Sequence, residues 1–183
     1  MMSVDFLGHL PSMTQTLYND TDKQALVDRL NATRNELLAI VRDLPADLRL
    51  APVLDDAWST KDMIGHIASW ENRLLTLAQM LINGEGDRIE WIGDEETLQE
   101  WNRSAYLHKR EWTWEEIIRE LALIREELLW NLGWSTPEQL FAEHTLERGT
   151  VSPVGMIESV IEHDVEHTDQ LRTWLEERKA RNP

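Results

Sequence analysis

The chain contains no cysteine among its 183 residues. Disulfides, thiolate nucleophiles and cysteine-ligated zinc or iron–sulfur sites are therefore excluded, and any bound metal must be held by histidine, aspartate, glutamate, backbone or water. Long apolar runs are also lacking, because the longest, Leu74 to Ile82, spans nine residues and is interrupted by Thr76 and Gln79. Such a run is too short to cross a bilayer. The N-terminal residues lack a basic segment followed by an apolar core, so we expect no signal peptide and a cytoplasmic protein.

Positive charge is scarce as well. Lysine and arginine number 18 against 34 aspartates and glutamates, and the formal net charge is −16. A surface this acidic repels phosphate backbones and anionic lipid, so we expect neither nucleic acid nor a membrane as a partner. The length, with 42% hydrophobic and 28% charged residues, predicts one soluble globular domain.

What the sequence does contain is helical periodicity with start and stop signals. Four segments carry apolar residues at spacings of three and four positions. Ser59 and Thr113 precede two of these segments as N-caps, each with an acidic residue three positions later that completes a capping box. Ser152 and Pro153 start another, as an N-cap followed by proline at the first helical position. The four predicted helices span 22–44, 60–82, 114–132 and 153–179.

The fold class that these segments predict is all-α. No segment alternates apolar and polar residues convincingly enough to predict a strand. Four long helices joined by connections of moderate length are typical of a four-helix bundle. A shorter helix is predicted over 94–110, between the second and third long helices. We predict a single bundle domain over 22–181, preceded by an N-terminal arm over 1–21.

Three histidines fall on the predicted core-facing sides of two helices. His163 and His167 are four residues apart, so their side chains differ by about 40° around the helix axis and share one face. His66 lies close to Met63 and Trp70 on the inward face of the second helix. A buried imidazole is costly unless its nitrogens find partners, and three imidazoles plus water form an open site for zinc or a similar divalent ion. We therefore predict a metal site at these three histidines, with satisfied core positions as the alternative.

Two acidic residues accompany this cluster. Asp164 falls inside the apolar arc of the last helix, where it either hydrogen-bonds an indole or a helix terminus or orients a histidine. Glu166 lies at the edge of the histidine face and is either solvated or a general base for metal-activated water. The stretch H-D-V-E-H also fits the H-x-x-E-H peptidase pattern, which we disfavour because such enzymes need a cleft for a polypeptide. The remaining histidines, His9, His108 and His144, have no comparable neighbours and are expected to be surface or structural residues.

Nine tryptophans are present, and packing in the core and at helix starts is their expected role. Trp58 and Trp112 each precede an N-cap and are placed to pack against a residue one turn inside the helix. Trp91, Trp101 and Trp134 lie nearer the connections. An aromatic wall for a small molecule is the alternative role for these three.

Two motifs, read in order, resemble a known family. The stretch W-S-x-K-D-x-I-x-H-I-x-x-W-E runs from Trp58 to Glu71, and H-x-x-x-H-x-x-Q-L runs from His163 to Leu171. Together they resemble the DinB/YfiT-like superfamily of four-helix bundles, which includes thiol-dependent S-transferases and mycothiol-dependent maleylpyruvate isomerases. The segment E-W-N-R-S-A-Y, from Glu100 to Tyr106, is similar to the ClbS/DfsB branch, which is associated with self-protection against reactive natural products. The resemblance covers roughly 22–179.

The resemblance has implications for the site and the assembly. It implies that His66, His163 and His167 bind a divalent metal, often nickel or zinc, and that the protein forms a homodimer, as many members do. We expect a protein that acts on a small electrophilic molecule by hydrolysis or thiol transfer, with the metal activating water or a low-molecular-weight thiol. Two alternatives stay open: a non-catalytic protein that binds and sequesters a small molecule, and a purely structural bundle.

Overall fold

A computed structural model describes residues 19–54, 58–147 and 149–181 of the chain. In this part of the molecule the predicted four-helix bundle is confirmed. Helix α3 packs along both α5 and α7, and α7 packs along α1. The long helices are α1 (Asp20–Arg42), α3 (Thr60–Ile82), α5 (Trp114–Trp134) and α7 (Pro153–Arg181).

Short elements fill the connections. The predicted extra helix between the second and third long helices is confirmed as α4 (Glu95–Lys109). Two antiparallel strand pairs were not predicted, because two or three residues are too few to show a period of two. The short elements are α2 (Ala46–Arg49), β1 (Pro52–Leu54), β2 (Trp58–Ser59), a 3-10 turn (Gly86–Arg88), α6 (Pro137–Phe141), β3 (His144–Leu146) and β4 (Gly149–Val151).

The predicted caps set the starts of the long helices. The Ser59 hydroxyl accepts the Asp62 N–H at 3.2 Å, and the Asp62 carboxylate accepts the Ser59 N–H at 3.0 Å. Helix α1 begins at Asp20, capped by Asn19, so the predicted arm boundary at residue 21 falls within its first turn. The rest of the predicted arm, 1–18, lies outside the described residues. None of the described helices is long and apolar enough to cross a membrane.

The bundle core is divided into two apolar halves by a buried layer of charge. Both halves take residues from all four long helices. One half includes Leu30, Leu75, Leu128 and Ile157, and the other includes Leu37, Ile64, Leu121 and Leu171. Between them, each long helix contributes one charged side chain, and these four side chains are at most 7% exposed.

The charged layer is a closed ring of two arginines and two carboxylates: Arg34, Glu71, Arg125 and Asp164. Both arginines pair with Glu71, and both pair with Asp164 at 2.9 and 2.8 Å. Each arginine also donates to a backbone carbonyl of a neighbouring helix. Every charge therefore has two partners of opposite sign, and the ring is neutral as a whole.

The hydrogen-bond partners of Asp164 differ from those expected in both sequence-based interpretations. Its carboxylate binds the two arginines, and not an indole, a helix terminus or a histidine ring. The sequence carried a signal for this, because Arg34 stands between Leu30 and Leu37 at a core position of its helix. The other ring members interrupt the apolar stripes of their own helices in the same way. One core-position charge per helix, with opposite signs that cancel, is the pattern that predicts such a ring.

Candidate functional site

The three predicted ligands meet at the contact between α3 and α7. His163 Nε2 lies 3.2 Å from His66 Nε2 and 2.9 Å from His167 Nε2. Helix α7 places two of the rings one turn apart on a single face, with centroids 4.4 Å apart, and α3 supplies the third from the opposite side. The structure therefore brings together the same three side chains that the sequence grouped.

The surroundings of the cluster keep the imidazoles neutral. Burial lowers the pKa of His66 to about 2, with further lowering by His163, His167 and the ammonium of Lys109. Burial and the neighbouring His167 lower the pKa of His163 to about 3. The pKa of His167 is also lowered, again chiefly by burial. Neutral imidazole is the form that binds metals.

The protein alone does not satisfy these rings. A neutral imidazole has one N–H donor and one lone pair, yet three Nε2 atoms face each other, and Nδ1 of His66 is buried with no hydrogen-bond partner among the described residues. All three ligand atoms lie within 4.8 Å of one another. Tetrahedral coordination at about 2.0–2.1 Å places nitrogens about 3.3 Å apart. The cluster fits a divalent metal ion.

Glu166 lies on the outer side of this cluster. It is exposed, and its carboxylate accepts the side-chain N–H of Gln170 at 3.2 Å. Gln170 in turn places its amide oxygen 2.7 Å from Nδ1 of His167. Gln170 is part of the quoted motif H-x-x-x-H-x-x-Q-L, but sequence reasoning gave it no role, although this spacing puts it one turn beyond His167. A base function for Glu166 stays a prediction.

Aromatic side chains flank the histidines. The Trp58 ring meets His66 edge-on with centroids 4.9 Å apart and stacks on Tyr106 at 6.2 Å. Trp70 lies 6.3 Å from His66, and the ring of Trp101 lies 4.5 Å from that of Trp70. Helix α4 therefore contributes two of these rings: Trp101 packs against Trp70 of α3, and Tyr106 stacks on Trp58 of β2.

Of the three tryptophans considered for an aromatic wall, Trp101 has that position. Trp91 packs against a separate apolar cluster that contains Ile89. Trp134 is 74% exposed and contacts the exposed Trp130. Trp58 and Trp70 were missed as wall residues, although Trp70 lies four positions after His66 and so shares its helix face.

Lys109 is a buried cation beside the site that sequence reasoning also missed. Its ammonium donates to the Gly65 carbonyl at 3.1 Å and pairs with Glu120. Burial lowers the pKa of Lys109, and the pairing with Glu120 opposes that shift. Its charge contributes to the lowered pKa of His66. Of the other histidines, His108 contacts Trp112 and His144 begins β3, away from the cluster. His9 lies outside the described residues.

Comparison with known proteins shows the family to which this bundle belongs. The model of the DinB superfamily matches residues 14–171. The chain therefore belongs to the DinB superfamily, as its motifs predicted. A comparison of the sequence with curated proteins gives no match.

Solved structures share the fold at low sequence identity. An uncharacterised protein from Escherichia coli UTI89 has a TM-score of 0.71 at 13% identity, covering 86% of this chain and 94% of that one. The colibactin self-resistance protein ClbS, in complex with double-stranded DNA, has a TM-score of 0.71 at 13% identity, covering 84% and 95%. TT2238, a four-helix bundle protein, has a TM-score of 0.58 at 20% identity, covering 82% and 98%. These neighbours show that the chain shares their fold.

The ClbS complex corrects one expectation. We excluded nucleic acid as a partner from the net charge of −16, but a protein of this fold has been solved with double-stranded DNA. Net charge sums the whole surface and does not describe the local patch that meets a ligand. The exclusion of nucleic acid is therefore wrong as an inference from charge.

Proposed function

We propose that this DinB superfamily protein binds one divalent metal ion, zinc or nickel, through His66, His163 and His167 and acts on a small electrophilic molecule. The convergence of three Nε2 atoms, 2.9 and 3.2 Å apart, is the observation that carries the proposal. These neutral imidazoles, one buried and two half-buried, cannot all satisfy their Nε2 atoms with one another. A cation at their centre gives each ring the partner that the protein does not supply.

Hydrolysis or thiol transfer is the chemistry that fits three imidazoles. A divalent ion with three protein ligands acts as a Lewis acid and lowers the pKa of water or of a thiol at its open position. The chain's own residues hold and shield this centre. His66 and His163 are half-buried, so the cluster is not closed off from solvent, and the rings of Trp58 and Trp70 pack against these two histidines.

Metal titration of the metal-free protein tests the binding step. Wild type should take up about one zinc or nickel ion per chain in calorimetry. His66→Ala should lose tight binding, because two imidazoles rarely hold a labile ion. The matched control is His108→Ala, which removes an exposed histidine outside the cluster and should bind as wild type does. Equal affinity of His66→Ala and wild type would remove the proposed site.

A second candidate function is stoichiometric binding of a small molecule without turnover. The observation that favours it is the set of rings beside the histidines, where Trp58 stacks on Tyr106 and Trp70 contacts Trp101. Aromatic rings give a flat unsaturated ligand large contact area. ClbS, a fold neighbour, is described as a self-resistance protein, and protection can proceed by capture or by chemistry.

Turnover separates the two functions. The metal-loaded protein is mixed with a chromogenic activated ester, and separately with an aryl halide and a small thiol, each in a hundredfold excess. Catalysis should consume more than one equivalent per chain, and His163→Ala should abolish this activity. Quenching of tryptophan fluorescence without product, unchanged in His163→Ala, would favour the binding function.

A further inference from the structure

Three side chains of α7 form a short hydrogen-bonded chain from solvent to the histidine cluster. Exposed Glu166 accepts from the side-chain nitrogen of half-buried Gln170 at 3.2 Å. The amide oxygen of Gln170 lies 2.7 Å from Nδ1 of His167, which is only 6% exposed. All three residues lie within about one turn of one helix, so these two hydrogen bonds do not depend on how the helices pack.

The carboxylate of Glu166, at the solvent end of these hydrogen bonds, determines which groups donate and which accept. An ionised carboxylate only accepts hydrogen bonds, so Glu166 must face the NH₂ group of Gln170. The oxygen of the same amide then faces His167. An oxygen acceptor requires a donor opposite, so the proton of neutral His167 lies on Nδ1.

A proton on Nδ1 leaves a lone pair on the other ring nitrogen. Nε2 of His167 is the atom that points at His163 Nε2, at 2.9 Å. With the opposite tautomer, an N–H would occupy the space between the rings. The choice of tautomer therefore decides whether His167 can act as a ligand there.

We infer that Gln170 and Glu166 are positioning residues that hold His167 in the Nδ1–H tautomer and keep its Nε2 lone pair directed into the three-histidine site. The consequence for metal affinity rests on the proposed function, whereas the tautomer itself does not. Removing an outer partner of a metal-binding histidine typically costs 10–100-fold in affinity.

Reversing the polarity of the outer end tests this inference. In Glu166→Lys the ammonium only donates, so the Gln170 amide turns over and presents its NH₂ to His167. The proton of His167 should then move to Nε2. Glu162→Lys is the matched control: Glu162 is exposed, directly precedes His163 as Glu166 precedes His167, and its replacement changes the net charge equally.

The first measurement needs no metal. Long-range ¹⁵N–¹H correlation spectra of the metal-free 183-residue chain, with ¹⁵N-labelled histidine, report which ring nitrogen carries the proton. Wild type, Glu162→Lys and Glu166→Gln, whose amide oxygen still accepts, should show His167 as Nδ1–H. Glu166→Lys and Gln170→Met should lose that state. A proton on Nε2 of His167 in wild type would overturn the inference.

The second measurement is affinity for zinc by calorimetry. Glu166→Lys and Gln170→Met should bind zinc 10–100-fold more weakly than Glu162→Lys, whereas Glu166→Gln should stay within about threefold of wild type. Equal affinity of Glu166→Lys and Glu162→Lys would overturn the role of the Glu166–Gln170–His167 hydrogen bonds in ligand positioning.

An Nδ1–H tautomer in a wild type that takes up no zinc would support the inferred tautomer and overturn the proposed function. A Glu166→Gln variant that keeps zinc but loses turnover would instead identify Glu166 as a base and overturn a purely positioning role.

Discussion

Two polar clusters in the described part of the bundle differ in whether the protein supplies a partner for each of their polar groups. In the ring of Arg34, Glu71, Arg125 and Asp164 every charge meets two opposite charges, and both arginines also donate to backbone carbonyls. The three histidines instead face one another, and His66 keeps a buried ring nitrogen without a partner among the described residues. A cluster that the chain completes serves the fold. A cluster that the chain leaves incomplete is where we propose a ligand.

The energetics of the two clusters follow from this difference. Desolvation of a buried ion pair is large and its attraction offsets the cost only when the geometry is complete, so a whole ring contributes little net stability. The ring takes one charge from each of the four long helices, so we expect it to favour the helix arrangement that brings these charges together. The histidines avoid the cost of buried charge by staying neutral, as their lowered pKa values indicate.

Breaking the ring should give the largest effect. Glu71→Ala leaves Arg34 and Arg125 to share one carboxylate, and the free energy of unfolding should fall by about 3–5 kcal/mol because a buried positive charge is left uncompensated. Denaturant unfolding of the metal-free protein measures this change. Glu126→Ala, an exposed acid beside Arg125, should stay within about 0.5 kcal/mol of wild type. A loss of similar size in both variants would remove the distinction between the ring and the surface.

Metal should stabilise the protein through the other cluster. Zinc at about 100 times its dissociation constant should raise the free energy of unfolding by about 2.7 kcal/mol, since only the folded state presents the site. His163→Ala should abolish this gain while leaving the metal-free stability unchanged or higher, because a half-buried imidazole and its desolvation cost are removed. Destabilisation of metal-free His163→Ala by several kcal/mol would mean that the histidines serve the fold as the ring does.

Acid should expose the cost of the buried imidazoles. The folded pKa of His66, about 2, lies below the ordinary histidine value of about 6.5 expected in the unfolded chain. Between these values the unfolded state binds the proton, so the stability of the metal-free protein falls as the pH drops below about 6.5, by up to about 1.4 kcal/mol per pH unit for this group. Unfolding measured from pH 7.5 to 5 should show a shallower slope for His66→Ala. Parallel slopes would contradict the lowered pKa.

The smallest effect is expected at the surface. Arg29 and Glu158 form a two-pronged pair at 2.6 Å, yet the arginine side chain is 54% exposed. Glu158→Gln should change the free energy of unfolding by less than about 1 kcal/mol, and less still at high salt. Glu71→Ala, measured in the same denaturant series, provides the comparison. The difference between the two variants shows how far burial, and not ion pairing as such, determines the loss in the free energy of unfolding. A loss at Glu158 equal to that at Glu71 would refute this role of burial.

The helices and their starts could be predicted from the sequence because their signals are local. The capping boxes at Ser59 and Thr113 lie within four residues of chain, and apolar spacing of three and four positions marks each buried face. His163 and His167 were grouped for the same reason. The strand pairs were missed because they are too short to have a period, and Asp164 was misassigned because its partners lie on other helices.

The sequence by itself determined the helices, the inward faces and the placement of three histidines and four charges on those faces, since all of these follow from spacing along one helix. Only the tertiary structure decided which inward side chains meet. Helices far apart in the chain must have the right axial offset and rotation for Arg34 to face Glu71 and for His66 to reach His163. Packing of the two apolar halves of the core determines that offset and rotation. It thereby decides that the four charges complete a ring, whereas the three histidines do not satisfy one another.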